Sequence, residues 1–171
     1  MARLLTEFND AIARKAAASA PGSVRAAVDR FGWSTRDLAE RLGVSERTAR
    51  RYRQQDRIPA RRADEFRRAA RSAATERQRS RIASRGLSAM NVHGRYRVSK
   101  SVYTTPQDSP VRIMDGNFIS GASMREVFDL EQSGDPAEAE AALAAALGEA
   151  YGNGMENMSW DRVDSLDYTI R

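Results

Sequence analysis

Most of the first 85 residues carry hydrophobic side chains at three- and four-residue spacing, the period of an amphipathic α-helix. Leu4, Phe8 and Ile12, for example, fall on one face of such a helix. Glycine or proline interrupts the pattern at residues 22, 32, 43 and 59. The pattern therefore predicts helices over residues 4–18, 23–31, 35–42, 45–55 and 60–85, the last of which is rich in arginine, alanine and serine.

The pattern changes to alternation over residues 91–105, NVHGRYRVSKSVYTT, which is typical of a half-solvated β-strand. VRIMD, residues 111–115, predicts a return strand. A lone hairpin is marginal in water, so this one must pack on a helix or on another copy. Helical spacing resumes over residues 123–132 and 136–151, and Asp135 suits the start of the second of these helices.

Charge is divided unevenly along the chain. Residues 1–100 hold 24 basic and 10 acidic side chains, whereas residues 101–171 hold 4 basic and 13 acidic ones. The first part therefore suits a polyanion such as nucleic acid, and the second does not. Arginine supplies 26 of the 28 basic residues, and codon bias in a GC-rich genome is the simplest explanation. A guanidinium nevertheless binds phosphates and guanine edges bidentately, as an ammonium cannot.

Residues 35–55 meet the steric requirements of a helix-turn-helix. Ala39 is a small side chain where the two helices would cross, and Gly43 supplies the positive φ that the turn needs. Apolar side chains for the packing between the helices stand at Leu38, Leu42, Val44, Ala49 and Tyr52. We favour a helix-turn-helix over an ordinary helical hairpin because every one of these offsets is met.

The second of these helices presents a polar, arginine-rich face that suits a DNA major groove. Arg47 and Arg50 are the candidates for guanine edges, while Ser45 and Thr48 suit phosphates at the helix start. Glu46 either accepts from cytosine N4 or, as we favour, stabilises the first helical turn. For each arginine, the alternative interpretation is a solvated side chain that does not contact DNA. The other predicted DNA-binding residues are Arg51, Arg53, Gln54, Arg57, Arg61, Arg62, Arg67 and Arg71.

These observations predict an α+β, mainly α fold, in which an N-terminal helical helix-turn-helix domain and an Arg-rich helix precede a β-hairpin with two C-terminal helices. We place the DNA-binding domain at residues 1–58 and the Arg-rich helix at 59–88. The α+β hairpin-helix domain follows at 89–152, and an acidic, loosely ordered tail at 153–171. The Arg-rich helix either lies along the DNA backbone, adding salt-sensitive affinity, or is a solvated linker.

The order of these parts resembles the telomere terminal proteins (the Tpg family) of actinobacterial linear plasmids and chromosomes. STRDLAERLGVSERTARRYRQQDRIP is followed by the Arg-rich helix, then by GRYRVSKSVYTTPQDSPVRI, then by ISGASMREVFDLEQSGDPAEAEAALAAALGEAYG. The likeness covers residues 32–152, and its helix-turn-helix part is generic. Val127 stands where the family's helix has leucine, and the tail beyond Gly152 is longer than expected. Those departures leave room for another plasmid-borne role.

The resemblance implies a protein that binds telomeric DNA, recruits replication partners and becomes linked covalently to a 5′ end. A side-chain hydroxyl would replace the primer 3′-OH, and a polymerase would supply the metals. Thr104 and Thr105 fit this role best because they follow the basic strand, although each is equally an ordinary strand or turn hydroxyl. The alternates are Ser99, Ser101, Tyr103 and Ser109.

Other chemistries have little support in the sequence. His93 is the one histidine and there is no cysteine, which argues against a metal cluster and a serine triad. We therefore expect no enzyme activity of its own, no metal and no cofactor. No apolar run approaches the roughly 20 residues of a membrane span, and the first residues lack the apolar core of a signal peptide. We expect a cytoplasmic, nucleoid-associated protein.

Two rival functions remain open. A transcriptional repressor would dimerise through its C-terminal half over a palindromic operator. A plasmid partition or replication accessory protein would use the same helix-turn-helix. In each case DNA is the expected partner. The acidic C-terminal half offers a surface to a replication protein or polymerase, and a homodimer is a further alternative.

Overall fold

The structure, a computed structural model, describes residues 3–98, 101–104, 111–113, 118–151 and 158–171. Its helices are α1 (Arg3–Ala18), α2 (Val24–Phe31), α3 (Thr35–Leu42), α4 (Glu46–Gln55), α5 (Ala63–Arg85), α6 (Gly121–Gln132) and α7 (Pro136–Tyr151), with a 3₁₀ turn at Ala60–Arg62. Its strands are β1 (Leu87–Val98), β2 (Ser101–Thr104), β3 (Val111–Ile113) and β4 (Met158–Ile170). The fold is mainly helical with an antiparallel sheet, which confirms the predicted class.

The chain forms two compact units. Ala13–Gln78 make up one, which we call the helical unit; Met1–Ile12 and Arg79–Arg171 make up the other, the sheet unit. These bounds differ from the predicted ones because the first turns of α1 bury Leu4 and Phe8 in the core of the sheet unit. The long helix α5 likewise contributes side chains to both cores. It is therefore neither a free linker nor a separate segment.

Polar caps start the helices of the helical unit. Ser23, Ser34 and Ser45 are the N-caps of α2, α3 and α4, and each side chain accepts a hydrogen bond from a backbone N–H three residues on. At Ser34 the cap is reciprocal, because the Asp37 carboxylate accepts from the Ser34 N–H at 2.8 Å. Gly32 ends α2 in the left-handed conformation, with φ of 69°. The predicted bounds of these helices are confirmed to within one residue.

β1 is the central strand of the sheet unit. β4 pairs with it antiparallel, from Leu87 opposite Ile170 to Val98 opposite Met158. β2 and β3 also pair with β1 antiparallel, at different positions along it, and β3 confirms the predicted return strand. Apolar side chains of β1 and β4 form one core with side chains of α1, α6 and α7.

Two sequence predictions are wrong in the sheet unit. Residues 91–105 do not form one strand, since β1 ends at Val98 and β2 begins at Ser101, antiparallel to it; residues 99–100 lie outside the described part of the chain. Residues 158–170 form β4 where we predicted a loosely ordered tail. The physical reason is burial, because β4 contributes four side chains to the core, Trp160, Val163, Leu166 and Tyr168.

α7 begins where predicted and also caps α1. The Asp135 carboxylate accepts from the Glu138 N–H at 3.0 Å, at the start of α7. One turn later, the two oxygens of Glu140 accept from the N–H groups of Leu4 and Leu5, at 2.8 and 2.6 Å. This carboxylate therefore satisfies two of the free donors at the α1 N-terminus. Within the described residues, no helix has both the length and the apolar character needed to cross a membrane.

Candidate nucleic-acid interface

α3 and α4 form the predicted helix-turn-helix. The side chains buried between them are Leu38, Ala39, Leu42, Ala49 and Tyr52, with Val44 half-buried. Gly43 ends α3 with φ of 57°, a conformation that costs glycine little. These are the positions that the sequence predicts, so the helix-turn-helix is confirmed.

α2 completes a three-helix arrangement. Val24 and Ala27 are buried in the same core. Trp33, between α2 and α3, is also buried, and its ring lies 5.3 Å from that of Phe31 and 6.4 Å from that of Phe66, between centroids. In three-helix variants of the helix-turn-helix, the last helix is the one that enters the major groove. Here that helix is α4.

The outward face of α4 is polar. Thr48 is half-buried, and its hydroxyl lies 3.0 Å from that of Ser45. The Ser45 side chain also accepts from the Thr48 N–H at 3.3 Å. Both hydroxyls thus lie at the helix start, where unpaired N–H groups favour an anion. The exposed residues of this face are Ser45, Glu46, Arg47, Arg50, Arg51 and Gln54.

Arg47 and Arg50, the candidates for guanine edges, are exposed on α4. In the described part of the chain, neither forms an ion pair with a carboxylate. By contrast, Arg36 on α3 pairs with Glu40 at 2.9 Å. Binding a guanine edge or a phosphate would therefore not require Arg47 or Arg50 to give up an existing partner.

A concavity of about 410 Å³ lies at the C-terminal end of α4. Arg51 and Arg57 line this concavity, together with Gln55 and Pro59. Among the described residues, no carboxylate contributes to this wall. The concavity is therefore cationic, and the binding of a flanking phosphate by these two arginines stays a prediction.

Arg62, a predicted phosphate contact, also has hydrogen-bond partners within the protein. Its Nη1 donates to the Leu42 carbonyl at 3.0 Å and to the Glu65 carboxylate at 2.6 Å. The hydrogen bond with Glu65 raises the pKa of Arg62. Because both partners belong to the helical unit, Arg62 contributes to the packing of that unit, and its role as a phosphate contact stays a prediction.

The remaining arginines of the candidate interface are exposed. Arg61 lies on the 3₁₀ turn, and Arg67 and Arg71 lie on α5. Arg67 forms an ion pair with Asp64, in which both side chains are more than half exposed. The same contact lowers the pKa of Asp64. An exposed pair of this kind contributes little, so phosphate could replace Asp64 as the partner of Arg67.

Three of the candidate linking residues lie on β2 of the sheet unit. Thr104 is the last residue of β2, and its Cα is in register with that of Arg95, which is in turn in register with Arg162 of β4. Among the described residues, no three His, Asp or Glu side chains are grouped so as to hold a metal ion. Ser101 and Tyr103 also lie on β2, whereas the candidates outside the described residues are Thr105, Ser99 and Ser109.

Comparison with known proteins identifies one segment of the chain. Residues 24–59 match the family model of a homeodomain-like domain. The match runs from the first residue of α2 to Pro59, just beyond α4, and so covers the three helices described above. No curated protein and no solved structure matches the chain. The chain thus contains a homeodomain-like helix-turn-helix, which indicates DNA as a partner.

Proposed function

We propose that the protein binds DNA sequence-specifically by inserting α4 into the major groove. The observation that supports this most directly is the two-sided character of α4. One side is fixed by Ala49 and Tyr52 in the core of the helical unit, and the other exposes Arg47 and Arg50 without carboxylate partners among the described residues. A rigid helix with exposed guanidinium groups provides both the shape and the donors that groove reading needs.

Each part of the surface has a proposed role. Arg47 and Arg50 donate to guanine O6 and N7. Arg51 and Arg57, at the cationic concavity, bind a flanking phosphate. Glu46 lies in the first turn of α4, where its charge stabilises the helix rather than contacting cytosine.

The charge of the helical unit supports the same proposal. It holds 17 basic and 8 acidic side chains, whereas the sheet unit holds 11 basic and 15 acidic ones. The attraction to the DNA backbone therefore acts on the helical unit, and the resulting affinity should fall steeply with salt.

The test begins by sequencing the DNA that the full chain retains from a random duplex pool. The specificity ratio is then the affinity for the recovered site divided by the affinity for a scrambled duplex of equal length. Arg50→Ala should lower this ratio about tenfold or more, the size of one bidentate base contact. Arg125→Ala removes one exposed positive charge from α6 and is the matched control, with an unchanged ratio. An unchanged ratio in Arg50→Ala would refute the proposal.

The narrower role that we propose is that of a telomere terminal protein of a linear plasmid or chromosome. Its support is the sequence resemblance, together with the strand register, in which the Cα of Thr104 lies opposite that of Arg95. We propose that the protein is not itself an enzyme, and that a polymerase bound to its acidic C-terminal half transfers the first nucleotide.

Genomic and replicon-end DNA, used in place of the random pool, tests the narrower role. Terminal inverted repeats in the bound fraction, and label from a nucleotide recovered on a threonine or serine, are the expected result. An internal palindrome bound by a dimer, with half-sites about 34–36 Å apart, would instead identify a repressor. Internal plasmid repeats would favour a partition or replication accessory protein.

A further inference from the structure

Asp56, at the C-terminal end of α4, has an unusual backbone conformation. Its φ is 46° and its ψ is 36°, which is the left-handed region, and among the described residues it is the one non-glycine residue with positive φ. Glycine is the usual residue at this position after a helix, because any Cβ is crowded there. An aspartate here therefore calls for an interaction that glycine cannot make.

The Asp56 side chain makes such an interaction with α2. Its Oδ1 accepts from the Arg25 N–H at 2.7 Å, and Arg25 is the second residue of α2. The hydroxyl oxygen of Ser23 accepts from the next backbone donor of α2, the Ala26 N–H, at 3.2 Å. The carboxylate thus lies at the positive end of the α2 dipole and joins the end of α4 to the start of α2.

Arg62 makes the complementary contact with α3. Its guanidinium donates to the carbonyl of Leu42, the last residue of α3, at 3.0 Å, and Glu65 also accepts from it. A cation at a helix C-terminus is stabilised by the dipole in the same way as an anion at an N-terminus. The segment from Asp56 to Arg62 therefore places a carboxylate at the start of α2 and a guanidinium at the end of α3, the two helices that neighbour α4.

We propose that Asp56 and Arg62 are positioning residues that fix the orientation of α4 in the groove and thereby set its sequence preference. Neither needs to touch a base. Side chains that read base edges must be held to within about 0.5 Å, so a small rotation of α4 would misalign Arg47 and Arg50 while leaving the exposed positive charge in place. The inference rests on the proposed function, because it assigns these two residues to the same reading helix.

Asp56→Gly provides the sharpest test. It removes the carboxylate but relaxes the left-handed backbone, so the two effects on folding oppose each other and the unit should stay folded, as circular dichroism can verify. The specificity ratio should fall about tenfold, as for the loss of one base contact, with the salt dependence of non-specific binding unchanged. Asp56→Asn keeps an oxygen acceptor and tolerates the left-handed conformation, so it should retain most of the ratio.

Arg62→Met tests the second contact, with the exposed neighbour Arg61→Met as its matched control. Arg62→Met should lower the specificity ratio, whereas Arg61→Met should weaken binding to both duplexes alike. If Asp56→Gly keeps the ratio of the unaltered protein, or if Asp56→Asn loses as much as Asp56→Gly, the positioning role is refuted. The Arg50→Ala variant separates failure of the positioning role from failure of the proposed function. If Arg50→Ala also keeps the specificity ratio of the unaltered protein, the proposed function itself is refuted.

Discussion

Replacing Gly94 by alanine should destabilise the sheet unit. Gly94 lies in the middle of β1, in register with Val163 of β4, beside a shift in that register. A Cβ at this position would overlap the backbone carbonyl of Arg162 and lie 3.0 Å from the Val163 Cα. Non-bonded heavy atoms lie about 3.5 Å or more apart, so the two strands would have to separate locally by roughly 1.4 Å. Backbone atoms cannot relieve this contact by changing a rotamer.

The expected cost follows from this separation. Two weakened ladder hydrogen bonds cost about 1 kcal/mol each, and the strain of overpacking adds about 1–2 kcal/mol. The free energy of unfolding should therefore fall by about 3–4 kcal/mol. With a urea m-value of about 1.5 kcal/mol/M, the midpoint should fall by about 2–2.7 M.

Tryptophan fluorescence can assign this change to the sheet unit. The chain has two tryptophans, Trp160 in the sheet unit and Trp33 in the helical unit. In a Trp33→Phe background, urea unfolding followed through Trp160 should show the lower midpoint. Gly22→Ala is the matched control, because nothing lies within 4 Å of its added Cβ, and it should leave stability unchanged or slightly higher. A midpoint for Gly94→Ala equal to that of the unaltered protein would show that β1 and β4 are not paired as described.

Helix caps and surface charge give further expected outcomes. Glu140→Ala should lower the free energy of unfolding by about 1–2 kcal/mol because it frees two α1 amides, whereas the exposed Glu149→Ala should change it by less than about 0.5 kcal/mol. Hydrogen bonds with Ser34 lower the pKa of Asp37, so its ionised form stabilises the fold at neutral pH. That contribution is lost as the pH falls through the lowered pKa, and the unfolding curves of Asp37→Asn and the unaltered protein should converge in acid. Arg71→Ala should weaken binding to all duplexes and reduce the slope of log affinity against log salt by about 1, which titrations at several salt concentrations measure.

The helices could be predicted because each signal for them is local. A serine N-cap and a C-terminal glycine define each of α2 and α3, and neither signal requires knowledge of what packs against the helix. The exposed face of α4 could be predicted for the same reason, since subtracting the apolar positions leaves the exposed ones. The role of Arg62 could not, because its acceptor on Leu42 lies 20 residues earlier in the chain. Asp56 could not be predicted from local signals alone either, because its partner Arg25 lies 31 residues earlier in the chain. An aspartate just beyond a helix end, where glycine is usual, is nevertheless a signal that could have identified it.

β4 was missed because its hydrophobic residues do not alternate. The buried side chains stand at Trp160, Val163, Leu166 and Tyr168, at spacings of three, three and two. The pairing with β1 shifts register between His93 and Gly94 and again between Arg95 and Tyr96, so β4 has an extra residue at each point. Such a bulge lengthens the local repeat from two to three while keeping the same face inward. A search for a strict period of two therefore fails on a bulged strand, and the aspartates on its exposed positions strengthen the appearance of a solvated tail.

The division of charge has a clearer meaning in the folded protein than along the sequence. The boundary in charge predicted near residue 100 does not coincide with a structural boundary, because residues 79–98 belong to the sheet unit. Counted by unit, the net charge is +9 for the helical unit and −4 for the sheet unit. At physiological salt the screening length is about 8 Å, so a phosphate near α4 responds to the local arginines rather than to the net +5 of the whole chain. The modest overall charge therefore understates the positive charge that the helical unit would present to DNA.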